Sequence, residues 1–235
     1  DVKFNIKKDD KLFNGQCYKT YFLSKNDEID IISTNKSVYG YFAVSGGFEL
    51  NKNFGSFSTT VRANVGSNNG NKLSKNEKFL IKDIKNKNIS KNIEYINSKV
   101  EYIRILKGTN FDYFSEDTIN DLTSKKFLVS KLSDRMGMRL QGSKIKNMKE
   151  TNIRSEGLVK GVIQVPADGD PIIMLSDHGT IGGYPKIAVV ISADYDKLIQ
   201  TPPGNTVKFK LIELKEAENL YKLYQMETEN LLNQI

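Results

Sequence analysis

The amino-acid sequence predicts a mainly β protein of two lobes, with short helices and a C-terminal helix. Its 235 residues are 38% hydrophobic and 10% aromatic, which is enough apolar material for a core. The apolar residues fall in short runs separated by Gly, Pro, Asn and Asp, the spacing of strands joined by turns. The last twenty residues instead place apolar side chains at helical spacing.

The first eighty residues are predicted to form short strands. Residues 18–33 contain alternating runs, and residues 37–50 are rich in Val, Tyr and Phe and are broken at a Gly pair. A polar Lys/Asn-rich segment without an apolar face follows. We therefore predict a first β lobe at 1–82, a linker at 83–98 and a second lobe at 99–235.

The second lobe is predicted to begin with a strand at 99–109, where apolar residues alternate. Ser115 is placed to cap a short helix, because acidic residues follow it and Lys residues end the segment. Three further β-rich runs are predicted at 157–166, 171–176 and 185–192. A short helix is predicted at 192–200, and a turn followed by a strand at 202–214. We expect the terminal helix to pack on the body; the alternative, a partner-binding helix, stays open.

The composition excludes several classes of site. Cys17 is the only cysteine and His178 the only histidine, so an internal disulfide, a thiolate zinc site and a His-rich metal site are excluded. We expect no metal ligands.

A single thiol suits a reducing compartment, so we expect a cytoplasmic protein. No run approaches the ~20 apolar residues that cross a bilayer. The sequence starts at Asp1 without Met or a signal-peptide core, as a fragment would.

The charge of +7 does not predict a nucleic-acid partner. Five of the 35 basic residues are Arg and the rest are Lys, scattered among Asn and Ile. This pattern favours a solvated surface over a nucleic-acid interface. Because Lys supplies most of the positive charge, each Arg is expected to serve a position that needs its planar, bidentate geometry.

Arg135 and Arg139 are candidate anion ligands. They flank Gly137 at an even spacing, which in a strand would put both guanidinium groups on one face. Such a pair suits a carboxylate or a phosphate. The alternative is a structural ion pair with Asp134 or Glu156.

Two Gly-rich turns carry further candidates. Gln164 and Asp168 are candidate ligands to a polar substrate, although Asp168 is equally suited to cap its own turn. The Gly182-Gly183 pair offers N–H groups that can hold an anion, and Tyr184 and Lys186 can orient that anion. The same segment contains His178, either a base or a structural residue, and Asp177 and Thr180.

The segments 133–142 and 155–190 closely resemble the biotin-dependent carboxyltransferase-like family, which includes KipA, allophanate hydrolase subunit 2 and the C subunit of 5-oxoprolinase. Residues 41–79 fit the same family, with an AVxGG turn, then GSxST, then an Arg in a Gly-rich stretch. The resemblance implies a cyclophilin-like β-barrel. The sequence departs from the family at His178, where relatives often have Arg. It also lacks the N-terminal VQDxGR-like segment with which family members usually begin.

The resemblance implies a component of an ATP-dependent 5-oxoprolinase, which converts 5-oxo-L-proline, ATP and water to L-glutamate, ADP and phosphate. It implies a sister B subunit of the KipI type, an A subunit of the LamB/YcsF type, and ATP with Mg²⁺ bound here or on a partner. One alternative is a carboxyltransferase acting on urea or a related small amide, with carboxybiotin on a partner protein. Another is a KipA-like regulator that binds a kinase inhibitor of related fold.

The resemblance also implies the roles of individual residues. The predicted catalytic residues are Arg135, Asp177 and Lys186. The predicted substrate-binding residues are Arg139, Gln164, Asp168, Thr180, Gly182, Gly183 and Tyr184, with Ser45, Gly46, Gly47 and Arg62 from the first lobe.

Overall fold

The computed structural model describes residues 2–34, 36–82, 92–93 and 100–233. The chain forms two compact units, which we call the barrel unit (residues 1–40 and 91–235) and the small unit (residues 41–90). The predicted linker at 83–98 lies outside the described residues except for 92 and 93. The predicted lobe boundaries therefore remain predictions.

The barrel unit begins with a small antiparallel sheet. Its strands are β1 (Lys3–Lys8), β2 (Lys11–Asn14) and β3 (Glu28–Ser33), in the order β2-β1-β3. Ile6, in the middle strand, is fully buried. Of the predicted strand at 18–33, only the last six residues are extended in the ladder.

The remaining elements of the barrel unit include ten strands in the described part of the chain. They are β4 (Ile103–Lys107), β5 (Phe127–Val129), β6 (Gly137–Gln141), β7 (Glu156–Gly157), β8 (Val162–Gln164), β9 (Ile172–Met174), β10 (Ile181–Gly182), β11 (Lys186–Val190), β12 (Thr206–Val207) and β13 (Phe209–Leu211). Three helices accompany them: α1 (Glu116–Ser124), α2 (Ser192–Ile199) and α3 (Leu214–Leu232). The strands predicted at 99–109, 157–166, 171–176 and 185–192 are confirmed.

Eight of these strands form a nearly closed barrel. Their order is β12-β5-β6-β9-β8-β11-β4-β13, so β12 and β13 are the two edges of the sheet. Only Lys208 separates these edge strands in the chain. Because one residue spans from edge to edge, the sheet must curve until its edges meet. The Lys208 carbonyl also accepts a hydrogen bond from the Ile103 N–H at 2.8 Å, beside β4.

Alternate side chains of the strands fill the barrel. Met138, Ile163 and Ile173, on three neighbouring strands, are almost completely buried. The rings of Phe127 and Phe209 lie 5.9 Å apart between their centroids and are also buried. Phe127 comes from β5, which is next to the edge strand β12, and Phe209 comes from β13, the opposite edge strand. Their contact is therefore part of the barrel closure.

The helices follow the signals in the sequence. The Ser115 hydroxyl accepts a hydrogen bond from the Thr118 N–H at 3.2 Å, which confirms the predicted cap of α1. Helix α2, also predicted, is tied to β4 by Asp194, which is fully buried. The Asp194 carboxylate accepts from the Arg104 Nε at 2.7 Å and from its backbone N–H at 2.9 Å. This hydrogen bonding raises the pKa of the Arg104 guanidinium.

The terminal helix α3 packs on the barrel unit through its first half, as predicted. Ala217 is buried in a cluster with Ile191, Ala193 and Ile212. Farther along, the Tyr224 hydroxyl donates a hydrogen bond to the Asp196 carboxylate. Apolar side chains in the second half of the helix are exposed, so the partner-binding alternative stays open.

The prediction of a strand at 37–50 is wrong. Its residues 41–50, in the small unit, contain one isolated bridge, between Phe48 and Ile81, and a turn in which the Gly47 N–H donates to the Val44 carbonyl. Gly46 and Gly47 have φ of +79° and +78°, which breaks an extended backbone. None of the hydrophobic side chains at 41–82, all of them described, is buried. The two glycines with positive φ and the lack of any buried apolar side chain together leave this Val/Tyr/Phe-rich segment without a regular ladder.

We expect Phe209→Ala to lower the free energy of unfolding by about 3–5 kcal/mol, because it removes a buried ring from the closure of the barrel. Phe54→Ala is the matched control, since Phe54 is 96% exposed. Its effect should stay within about 0.5 kcal/mol. Denaturant unfolding measures both values; an effect of Phe209→Ala as small as the control would contradict the closure described here.

Candidate functional site

Four side chains of neighbouring strands form a row on the outer face of the barrel. Directly opposed residues of antiparallel strands point to the same face. We call these four residues the outer row; across β6, β9, β8 and β11 they are Arg139, Ile172, Gln164 and Lys186. The row spans three strand spacings, about 14 Å between backbones. It brings three of the predicted site residues onto one surface.

The two-stranded sheet β7-β10 and the residues after it contact Gln164 in the outer row. The Gln164 Nε2 donates to the Tyr184 carbonyl at 3.1 Å. A Cβ on Gly182 would lie 2.7 Å from this same nitrogen, so any larger residue there would displace the Gln164 amide. Gln164 is 3% exposed, yet its Oε1 has no hydrogen-bond partner among the residues described. It is thus a fixed acceptor that is available to a ligand.

Lys186 is a buried cation at the end of the outer row. Its ammonium lies 2.7 Å from the Glu156 Oε2, on β7. The Lys186 side chain is buried, whereas the Glu156 side chain is 48% exposed and remains partly hydrated. A buried ammonium requires such a partner, because water no longer stabilises its charge.

Two consecutive N–H groups, those of Gly183 and Tyr184, shortly precede Lys186 in the chain. In the described part of the chain, neither the Gly183 N–H nor the Tyr184 N–H has an acceptor. The Gly183 carbonyl accepts from the Ile153 N–H at 2.8 Å, which fixes this peptide in place. The anion cradle predicted at Gly182-Gly183 stays a prediction.

Arg135 is held by Asp177. The Arg135 Nε lies 2.6 Å from the Asp177 Oδ2, and its Nη2 lies 3.0 Å from Oδ1. The Asp177 N–H also donates to the Arg135 carbonyl at 2.9 Å. The alternative of a structural ion pair is therefore present, with Asp177 as a partner that the sequence did not indicate.

The expectation that one strand carries both Arg135 and Arg139 is wrong. Strand β6 begins at Gly137, and Arg135 lies in the turn before it. The Asp134 Oδ1 accepts from the N–H of Met136 and of Gly137, which caps this turn. The Arg139 guanidinium is exposed and has no ion-pair partner among the described residues. It is the accessible cation of the outer row.

The other predicted ligands lie in turns. The Asp168 Oδ1 accepts from the Asp170 N–H at 3.1 Å, so Asp168 caps its own turn; its role as a ligand stays a prediction. His178 lies in a turn, with its Nδ1 2.6 Å from the Gly179 carbonyl oxygen. Thr180 is exposed just before β10.

The predicted ligands from the first lobe lie in the small unit. Ser45, Gly46 and Gly47 belong to one turn, and Arg62 lies in a short 3₁₀ helix, Val61–Ala63. Their part in a binding site stays a prediction.

Sequence reasoning did not single out Tyr195 or Ser176. The Tyr195 hydroxyl shares a hydrogen bond with the Ser176 Oγ at 3.3 Å, next to Asp177. Burial raises the pKa of Tyr195, so its hydroxyl stays protonated at neutral pH. The sequence indicated Glu156 only as a partner of an arginine, whereas its partner in the structure is Lys186. The one sequence feature that could have marked it as a site residue is its place in a Ser-acid-Gly sequence.

The described residues contain neither a cluster of possible metal ligands nor a helix that could span a membrane. No group of three or more His, Cys, Asp or Glu side chains could hold a metal ion there. Within the same residues, no helix has the length and apolar character needed to cross a membrane.

Comparisons with known proteins identify relatives along most of the chain. A model of the carboxyltransferase domain, subdomains A and B, matches residues 2–211. The C subunit of 5-oxoprolinase from Escherichia coli is 34% identical over 179 residues, which cover 75% of this chain and 57% of that protein. The C subunit from Haemophilus influenzae is 33% identical over 212 residues, covering 87% and 66%. The chain therefore spans roughly three fifths of these curated relatives.

Urea amidolyases are more distant relatives. The Saccharomyces cerevisiae protein is 26% identical over 224 residues, which cover 86% of this chain and 12% of that protein. Two solved structures, the K. lactis urea amidolyase and the Kluyveromyces lactis urea carboxylase, match with TM-scores of 0.81 and 0.80 at 20% and 21% identity. Both matches cover 98% of this chain, and 15% and 22% of the respective solved chains. They confirm the predicted mainly β barrel fold.

We expect Glu156→Gln to lower the free energy of unfolding by about 1.5–3 kcal/mol, because it leaves the buried Lys186 ammonium without an anionic partner. The matched control is Glu218→Gln on α3, whose carboxylate pairs with Lys215 in an exposed position. That substitution should change stability by less than about 0.5 kcal/mol. Equal effects in urea unfolding would show that the Lys186–Glu156 pair contributes no more than a surface pair.

Proposed function

Because the chain belongs to the family of carboxyltransferase domains, subdomains A and B, we propose that it acts within an ATP-dependent 5-oxoprolinase, as its C subunit. The two relatives of that name, at 33–34% identity, support this choice. The observation that carries the proposal is the set of donors and acceptors available along the outer row. It matches the substrate, a five-membered lactam with a carboxylate.

Each polar group of 5-oxoproline has a counterpart in the site. The lactam carbonyl suits the N–H groups of Gly183 and Tyr184. The ring N–H suits the Gln164 Oε1, which is a fixed acceptor. The carboxylate suits the exposed guanidinium of Arg139 at the other end of the row.

The chemistry of ring opening assigns the remaining roles. ATP transfers a phosphoryl group to the lactam oxygen and leaves as ADP, and one water adds to the activated carbon. The C–N bond then breaks to give an acyl phosphate and the free amine, and a second water hydrolyses the acyl phosphate to the carboxylate of glutamate and phosphate. The transferred phosphoryl group carries negative charge through these steps, and the N–H groups and the Lys186 ammonium stabilise it. Arg135 and Asp177 act as a pair: an anion that binds to Arg135 frees the Asp177 carboxylate to orient water.

Partners complete this proposal. We place the chain with a sister B subunit of the KipI type and an A subunit of the LamB/YcsF type, in the cytoplasm. ATP with Mg²⁺ binds to this chain or to one of those partners. The names of the relatives, each designated a C subunit, support a multi-subunit complex.

Carboxyl transfer to urea or another small amide is the second candidate. It is favoured by the urea amidolyase relatives at 25–26% identity. In that reaction a partner protein supplies carboxybiotin, and the same N–H groups and Lys186 hold the carboxyl group. The two candidate functions differ in their substrates, since only the 5-oxoprolinase reaction consumes 5-oxoproline.

The proposal is tested by mixing the chain with the A-type and B-type subunits and measuring glutamate release from 5-oxoproline and ATP. Arg139→Ala should lower kcat/KM by roughly 10- to 100-fold, because a charged hydrogen bond to the carboxylate is lost. Lys210→Ala is the matched control, an exposed cation on β13 outside the row. It should leave the rate unchanged.

Several outcomes would reject the 5-oxoprolinase function. Glutamate release that is the same without this chain would do so. A stable complex that does not turn over 5-oxoproline but carboxylates urea from carboxybiotin would favour the second candidate. A stable complex with neither activity would favour a KipA-like regulator.

A further inference from the structure

Lys186 lies on the face of β11 opposite to the one that strand alternation assigns to it. Ala188 and Val190, two and four residues farther along, are buried in the main core of the barrel. Side chains two apart in a regular strand share a face, so Lys186 should also point into the core. Its pairing with Gln164 and its contact with Glu156 place it outside instead.

A β-bulge causes this reversal. Lys186 is opposite Gln164 and Ala188 is opposite Ile163, so β11 has one residue more than β8 at this point. The extra residue is Ile187, which is fully buried in the core beside Ala188. A bulge changes the direction of the neighbouring side chains. It therefore moves Lys186 from the apolar interior to the outer row.

The loop after β4 holds the bulge from the other side. The Asn110 Oδ1 accepts from the Lys186 N–H at 3.0 Å, and the Asn110 N–H donates to the Lys186 carbonyl at 3.1 Å. The Gly108 N–H donates to the Ile187 carbonyl at 2.9 Å. A Cβ on Gly108 would lie 2.3 Å from the Lys186 carbonyl oxygen, so the loop approaches this closely only with glycine.

We propose that Asn110 is a positioning residue, which acts through Lys186 rather than on a ligand. Asn110 is 6% exposed, and its side-chain oxygen replaces the acceptor that a regular ladder would have offered to the Lys186 N–H. It thereby keeps the bulge at Ile187 and the Lys186 ammonium against Glu156. The functional importance of this position rests on the role of Lys186 in the proposed function; the positioning itself does not.

Reductive methylation of lysines with isotope-labelled formaldehyde tests the proposal, followed by NMR and with Lys186 identified by Lys186→Arg. In Asn110→Ala the methylation rate of Lys186 should rise by about three- to tenfold, the factor that loss of one hydrogen bond gives. The other lysines should keep their rates. Asn110→Asp retains the acceptor and should restore the slow rate. Asn205→Ala, which removes a hydrogen bond in an exposed turn, is the matched control and should change nothing at Lys186.

An unchanged rate at Lys186 in folded Asn110→Ala would overturn the proposal. An equal acceleration at all lysines would also overturn it, because that indicates general loosening of the fold. If Asn110→Ala does not fold, Asn110→Ser is measured in its place, since its shorter hydroxyl cannot occupy the position of Oδ1. No turnover enters this test, so its result is independent of whether the complex opens 5-oxoproline.

Discussion

The architecture depends on one covalent constraint, the passage of the chain from one edge of the main sheet to the other at Lys208. Strands β12 and β13 lie on opposite edges and are one residue apart. A flat sheet of eight strands would separate these edges by about 34 Å, which one residue cannot span. The sheet therefore closes, and its inner face becomes a shielded core in which Phe127 and Phe209 meet.

Closure gives the barrel two faces with different uses. The inner face is apolar, and the outer face of β6, β9, β8 and β11 carries the polar outer row. A fixed register places Arg139 and Gln164 at one level, and a single bulge adds Lys186 to them. The candidate ligands of the outer row are thus held by strands, which fix their positions more precisely than turns would.

The sequence predicted what local signals determine. Strands at 157–166 and 185–192 and the Ser115 cap depend on neighbours within a few positions, and all are present. The ion partners were not predictable, because register brings together residues 42 apart for Arg135 and Asp177, and 30 apart for Lys186 and Glu156. Strand alternation alone would place Lys186 in the core, since a bulge has no signature in one sequence. Residues 37–50 show that β-rich composition without burial does not make a strand.

The most direct test of the site is an NMR titration of the isotope-labelled chain with 5-oxoproline. The account predicts saturable shifts of the Gly183 and Tyr184 amide signals, because their N–H groups would bind the lactam carbonyl. L-Proline, which lacks that carbonyl, should not produce them. If both signals stay in place while amides elsewhere in the chain respond to 5-oxoproline, the outer row is not the lactam site.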